Sequence, residues 1–123
     1  MKHGHTGIKR IIIALANSWK GLKAAWKFEA AFRENTALAL VLLLASFWLA
    51  QNVVEWLILI VPLFMLIVAE LLNSAIECAI DRIGPEFHEL SGRAKDMGSA
   101  AVFMCHIIIT IVWLSMIWGH FKG

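Results

Sequence analysis

The sequence predicts an all-α membrane protein: three transmembrane helices preceded by an N-terminal amphipathic surface helix, in a single domain over 1–123. Three observations carry that prediction. The 123 residues are 60% hydrophobic and only 16% charged, with a mean hydropathy of +0.74, a balance foreign to a soluble domain of this size. Three apolar runs approach or exceed the length needed to cross about 30 Å of hydrocarbon. Ahead of them, a segment repeats its apolar residues at helical spacing with lysines along one flank. The spans use up the length, so no separate soluble domain is available for catalysis.

Each element follows in order. Residues 1–7 read as a short flexible tail, and His3 and His5 within it take no role. From Ile8 the residues Ile8, Ile12, Leu15, Trp19, Leu22 and Trp26 fall within about 40° of one line on a helix. Lys9, Lys20, Lys23 and Lys27 flank that line. A basic amphipathic helix with two tryptophans is expected to lie in the membrane interface, over about 8–33, with its lysines toward anionic headgroups.

The first span is expected at about 34–51. Its apolar stretch from Thr36 to Ala50 is short, so it borrows a turn from the Ala30–Asn35 side. Gln51 and Asn52 mark a tight turn. The second span covers about 53–83, and Pro62 inside it bends a membrane helix without ending it. Gly84 and Pro85 stop it. A charged connection, Glu86–Lys95, leads to a third span at about 96–119, where Met97–Trp118 contains no Asp, Glu, Lys or Arg.

Basic residues set the orientation. The segment through residue 33 carries seven Lys or Arg and one acid, the 51–56 turn carries none, and the 82–95 connection carries three. The positive-inside rule places the N-terminus and the 82–95 connection in the cytoplasm. The lysine-interleaved N-terminus does not read as a cleavable signal. Cys78 and Cys105 form no CxxC or zinc pattern and read as small packing residues. His106 reads as a polar packing position in the third span.

The chemistry concentrates in the second span, in PLFMLIVAELLNSAIECAIDR. At about 100° per residue, Asn73, Ser74, Glu77 and Asp81 lie within about 60° of Glu70. A carboxylate at bilayer depth is costly and marks a functional site by default. Glu70 and Glu77 are about 10 Å apart along the axis, which suits divided labour. The outer Glu77 is expected to hold a cation, and the deeper Glu70 to meet a group arriving from the lipid. Asn73 could orient either one. A polar seam gluing helices in an oligomer is the plainer alternative.

Glu29 either pairs with Arg33 at i,i+4 or folds back to join Glu77 as a second oxygen ligand. Two carboxylates suit magnesium, which takes one or two of them plus phosphates and water. In the connection, Arg93 and Lys95 could neutralise a polyphosphate, with Gly92 and Gly98 allowing close backbone approach. Neither a GxxxxGK[ST] loop nor a kinase glycine-rich loop occurs. No nucleic-acid partner is expected.

The run AELLNSAIECAIDRIGPEFHELSGRAKDMGSAAV, with NSWKGLKAAWKFEAAFRE upstream, closely resembles the bacterial integral-membrane diacylglycerol kinase family, which includes undecaprenol kinases. The resemblance covers roughly residues 6–121 and implies a homotrimer in the bacterial inner membrane. It also implies transfer of the ATP γ-phosphate to a lipid alcohol, with magnesium. On that resemblance Glu70 matches the general base, Glu29 and Glu77 the metal-binding carboxylates, and Asn73 the amide beside them. Lys95 and Asp96 match nucleotide-contacting positions, Glu86 and His88 lie near the adenine side, and Arg10, Ser18 and Ser99 match further site-lining positions. Departures fall mostly in the first span, at Pro62 and at Cys105–His106, and concern packing rather than chemistry. Diacylglycerol is the expected acceptor. Undecaprenol is the alternative within the class, and a small proton-coupled transporter the alternative outside it.

Overall fold

A computed structural model describes residues 6–122 as four helices joined by short connections: α1 (Ile8–Phe28), α2 (Ala30–Leu49), α3 (Val53–Ile83) and α4 (Glu89–Lys122). Most of the expected tail, with His3 and His5, lies outside the described residues. Three of the helices, α2, α3 and α4, are long and apolar enough to cross a membrane.

The first boundary falls at Glu29 rather than between 33 and 34. Glu29 is extended (φ −118°, ψ 106°) and separates α1 from α2. No glycine or proline makes this break. Arg33 stabilises it: its Nη1 donates to the Trp26 carbonyl at 2.7 Å and the Lys27 carbonyl at 3.3 Å, satisfying the free acceptors at the end of α1. The first membrane helix therefore starts at Ala30 and gains the turn it needed, reaching about 30 Å.

The α2–α3 turn is built by Asn52, whose side chain accepts from the Glu55 N–H at 2.9 Å. The Glu55 carboxylate accepts in turn from the Gln51 N–H at 3.0 Å, a reciprocal cap. Gln51 Nε2 also meets His120 Nδ1 at 3.3 Å, tying the end of α4 to this turn.

The charged connection is shorter than the sequence suggests. It spans only Gly84–His88, because α4 begins at Glu89. Three contacts explain the early start. His88 Nδ1 accepts from the Leu90 N–H at 3.1 Å, Gly92 N–H bonds the His88 carbonyl at 3.0 Å, and Glu89 pairs with Arg93 at 3.7 Å. An acid in the first turn also suits the helix dipole. Lys95, Asp96 and Ser99 thus sit on a helix face, not in a loop.

The core joins α2, α3 and α4 through Ala39, Leu49, Leu59, Leu63, Leu66, Cys105, Ile109 and Trp113. Pro62 is buried inside an unbroken α3. Near it the Leu59 carbonyl also accepts from the Trp113 indole at 3.2 Å, which bonds α4 to α3. Large apolar side chains such as Phe64, Val68 and Leu72 face outward, as lipid-facing or subunit-facing surface requires.

Candidate functional site

The polar stripe of α3 rises out of the bundle as it nears the 84–88 connection. Glu70 is 3% exposed and Ser74 8%, Glu77 is half-buried, and Asp81 is exposed. Its members do not share one neighbour. Being about 100° apart, Asn73 and Ser74 turn to different helices, and Glu70 turns to a third.

Glu70 faces α2, where Asn35 Nδ2 donates to its Oε2. Nothing in the sequence reading singled out Asn35. The available signal was the polar triplet Glu34-Asn35-Thr36 at the mouth of the first apolar run, but the register between two helices is not written in either one. An ionised carboxylate only accepts, so the amide N–H₂ is its natural partner, and Oε1 remains for another donor.

Asn73 faces α4 instead. Its Oδ1 fills the space a Cβ at residue 98 would take, with Ile76 Cδ1 beside it, and that oxygen is buried without a donor among the described residues. Asn73 makes no hydrogen bond to Glu70, whose side-chain partner among the described residues is Asn35. Gly98 is likewise buried against α3 and serves helix packing rather than approach by a phosphate. Its role is that of small residues at membrane helix contacts.

Ser74 opens onto α1. A groove of about 550 Å³ runs between the two helices, walled by Ser18, Ala25 and Glu29 on one side and Leu71, Ser74 and Cys78 on the other. Ser18 Oγ donates to the Ala14 carbonyl at 2.9 Å. Glu29 is half-buried and forms no salt bridge among the described residues, since Arg33 is engaged with backbone carbonyls. Glu29 lines this groove together with Ser74 and Cys78, while Glu77 is not among its lining residues.

Among the described residues, no group of three or more His, Cys, Asp and Glu side chains forms a ready-made metal cage. The donor set nevertheless fits magnesium, which uses few carboxylates and completes its shell with phosphate oxygens and water.

On the cytoplasm-facing side assigned from the sequence, Lys95 Nζ pairs with Asp81 at 3.3 Å, with side-chain exposures of 44% and 71%. So exposed a pair contributes little, and its ammonium can exchange to a phosphate at small cost. Glu86, His88, Asp96 and Ser99 are all exposed nearby in the chain. Arg10 is exposed too, but it lies roughly 27 Å along α1 from Phe28. Arg10 is not among the residues that line the groove.

The family model described as prokaryotic diacylglycerol kinase matches residues 16–117. The chain is 48% identical to the diacylglycerol kinase of Escherichia coli K12 over 121 residues, 98% of this chain and 99% of that protein. It is 46% identical to the Haemophilus influenzae diacylglycerol kinase over 108 residues, covering 88% and 92% of the two chains. The Pseudomonas aeruginosa diacylglycerol kinase is 43% identical over 116 residues, covering 94% of each.

Proposed function

The chain belongs to the prokaryotic diacylglycerol kinase family, and we propose that it phosphorylates diacylglycerol at the cytoplasmic face of the bacterial inner membrane, releasing phosphatidate and ADP. It is a membrane protein and an ATP-dependent lipid kinase. Diacylglycerol is preferred to undecaprenol because the matched relatives carry the former name over nearly their full length. A proton-coupled transporter is not favoured by any of them.

The observation that carries the mechanism is Glu70: a carboxylate 3% exposed on a membrane-spanning helix, with one oxygen bonded and the other available. Glu70 Oε1 accepts the proton of the lipid hydroxyl as that oxygen attacks the γ-phosphorus. The bond from the γ-phosphorus to the bridging oxygen breaks, and ADP leaves. Positioning and charge neutralisation supply most of the acceleration in such transfers. Lys95, released from Asp81, neutralises phosphate charge, and Asp96, Glu86 and His88 line the nucleotide side. Glu29 and Glu77 would hold magnesium, which would draw charge from the transferring phosphoryl group. Ser18, Asn73 and Ser99 border the acceptor side.

Assembly as a homotrimer accounts for two features of the lone chain. Arg10 lies outside the groove lining of its own chain, and a neighbouring copy would supply it. The outward apolar faces of α3 and α4 offer surface for that packing. The basic, tryptophan-bearing α1 lies at the interface in this reading, at the depth where a glycerol hydroxyl resides.

Glu70→Gln tests the mechanism. It is expected to keep the trimer mass in detergent by light scattering and to lose nearly all turnover. A wild-type rate would make Glu70 structural, and a monomeric mass for the active wild type would remove the shared site. Reporter fusions at residues 52 and 86 should report opposite sides of the membrane; the same side for both would refute the assigned topology.

A further inference from the structure

Asn35 makes the only side-chain hydrogen bond that Glu70 accepts among the described residues. We propose that Asn35 is a positioning residue for phosphoryl transfer, its amide holding Oε2 of Glu70 so that Oε1 stays presented to the lipid hydroxyl. The inference rests on the reading of Glu70 as the base.

Three features of the site support it. A glutamate has three side-chain torsions, and a base must sit within hydrogen-bond reach of the proton it takes. A carboxylate on a long side chain needs a fixed partner to meet that demand. The other polar neighbours on the stripe do not provide one, since Asn73 is turned to Gly98 and Ser74 to the α1 groove.

The chemical type also fits the task. A neutral amide satisfies an ionised carboxylate without competing for its proton. A lysine or arginine in the same place would lock Glu70 in an ion pair. An aspartate or glutamate would share its proton and blur which group is the base.

The position of Asn35 is itself secured. It lies two residues after Arg33, whose guanidinium clamps the end of α1 at 2.7 Å from the Trp26 carbonyl. The corner that carries Glu29 therefore also carries the amide that orients Glu70. The segment that begins at Glu29 thus carries the proposed metal carboxylate and, through Asn35, contacts the proposed base.

The test compares Asn35→Leu, Asn35→Gln, Glu70→Gln and the double variant Asn35→Leu/Glu70→Gln, purified in detergent and assayed with MgATP and a short-chain diacylglycerol. Asn35→Leu should lower kcat about 10- to 100-fold, as expected for a misplaced catalytic group, with KM for both substrates within about 3-fold of wild type. Asn35→Gln, which keeps the amide, should recover most of the loss. In the Glu70→Gln background, Asn35→Leu should change the residual rate by less than about 2-fold, because the two residues act as a unit.

A wild-type kcat in Asn35→Leu, alongside an inactive Glu70→Gln, overturns the positioning role and leaves the base intact. A wild-type rate in Glu70→Gln overturns the base and the inference with it. If Asn35→Leu lowers activity only in proportion to the fraction of folded enzyme, read by circular dichroism melting, the amide is helix glue and the proposal fails.

Discussion

At the residue scale, the α3 stripe shows how one helical pattern divides into separate tasks. Glu77 is half-buried and would hold magnesium in the proposed mechanism, so Glu77→Gln is expected to raise the magnesium concentration needed for half-maximal rate several-fold. An unchanged magnesium titration removes it from the ligand set. Two glycines of α4 give a matched pair of predictions. Gly98 is pressed against Asn73, while nothing lies within 4 Å of a Cβ at Gly92. Gly98→Ala should cost about 1–3 kcal/mol by overpacking, and Gly92→Ala should be neutral or stabilise by up to about 1 kcal/mol. Denaturant melts of both in the same detergent check the contrast, and equal melting points would refute the α3–α4 packing described. Much of this was legible: the carboxylates Glu70 and Glu77, and the outward rise of the stripe, follow from periodicity and polarity. Asn35 was not, because its importance depends on which α2 residue stands opposite Glu70. The same holds for Gly98, which reads in sequence as allowing close backbone approach to phosphates and acts in the fold as a contact for Asn73.

At the element scale, spans were legible and their ends were not. Hydrophobic runs mark where lipid solvates a helix, but the boundaries are set by local hydrogen bonds. Arg33 moves the start of α2 back to Ala30 through its bonds to the Trp26 and Lys27 carbonyls. His88, Glu89 and Arg93 extend α4 into the charged connection. Pro62 lies within an unbroken helix as expected, and the Trp113–Leu59 bond at 3.2 Å ties α4 to α3 nearby. Trp113→Phe keeps the ring and removes the indole N–H. It should lower stability by about 1–2 kcal/mol, measured by thermal unfolding in detergent, with little change in KM for ATP. A melting point equal to wild type would mean that the bond contributes nothing to α3–α4 docking.

At the scale of the whole molecule, three apolar helices follow a basic helix, with exposed polar residues gathered near the 84–88 connection, where the proposed kinase site would meet the membrane interface. In the proposed mechanism the buried Glu70 carboxylate would serve the lipid hydroxyl and the half-exposed Lys95 the nucleotide. In the proposed trimer a neighbouring copy would bring its Arg10 to this site, since Arg10 lies outside the groove lining of its own chain. No sequence pattern displays that completion, since subunit packing depends on surfaces rather than on motifs. The central claim is that this chain phosphorylates diacylglycerol. One measurement tests it most directly: purified protein in mixed micelles with MgATP, offered diacylglycerol and undecaprenol side by side, with the phosphorylated lipids separated and counted. The account predicts phosphatidate as the dominant product, and phosphorylation of undecaprenol alone, or of neither lipid, would contradict it.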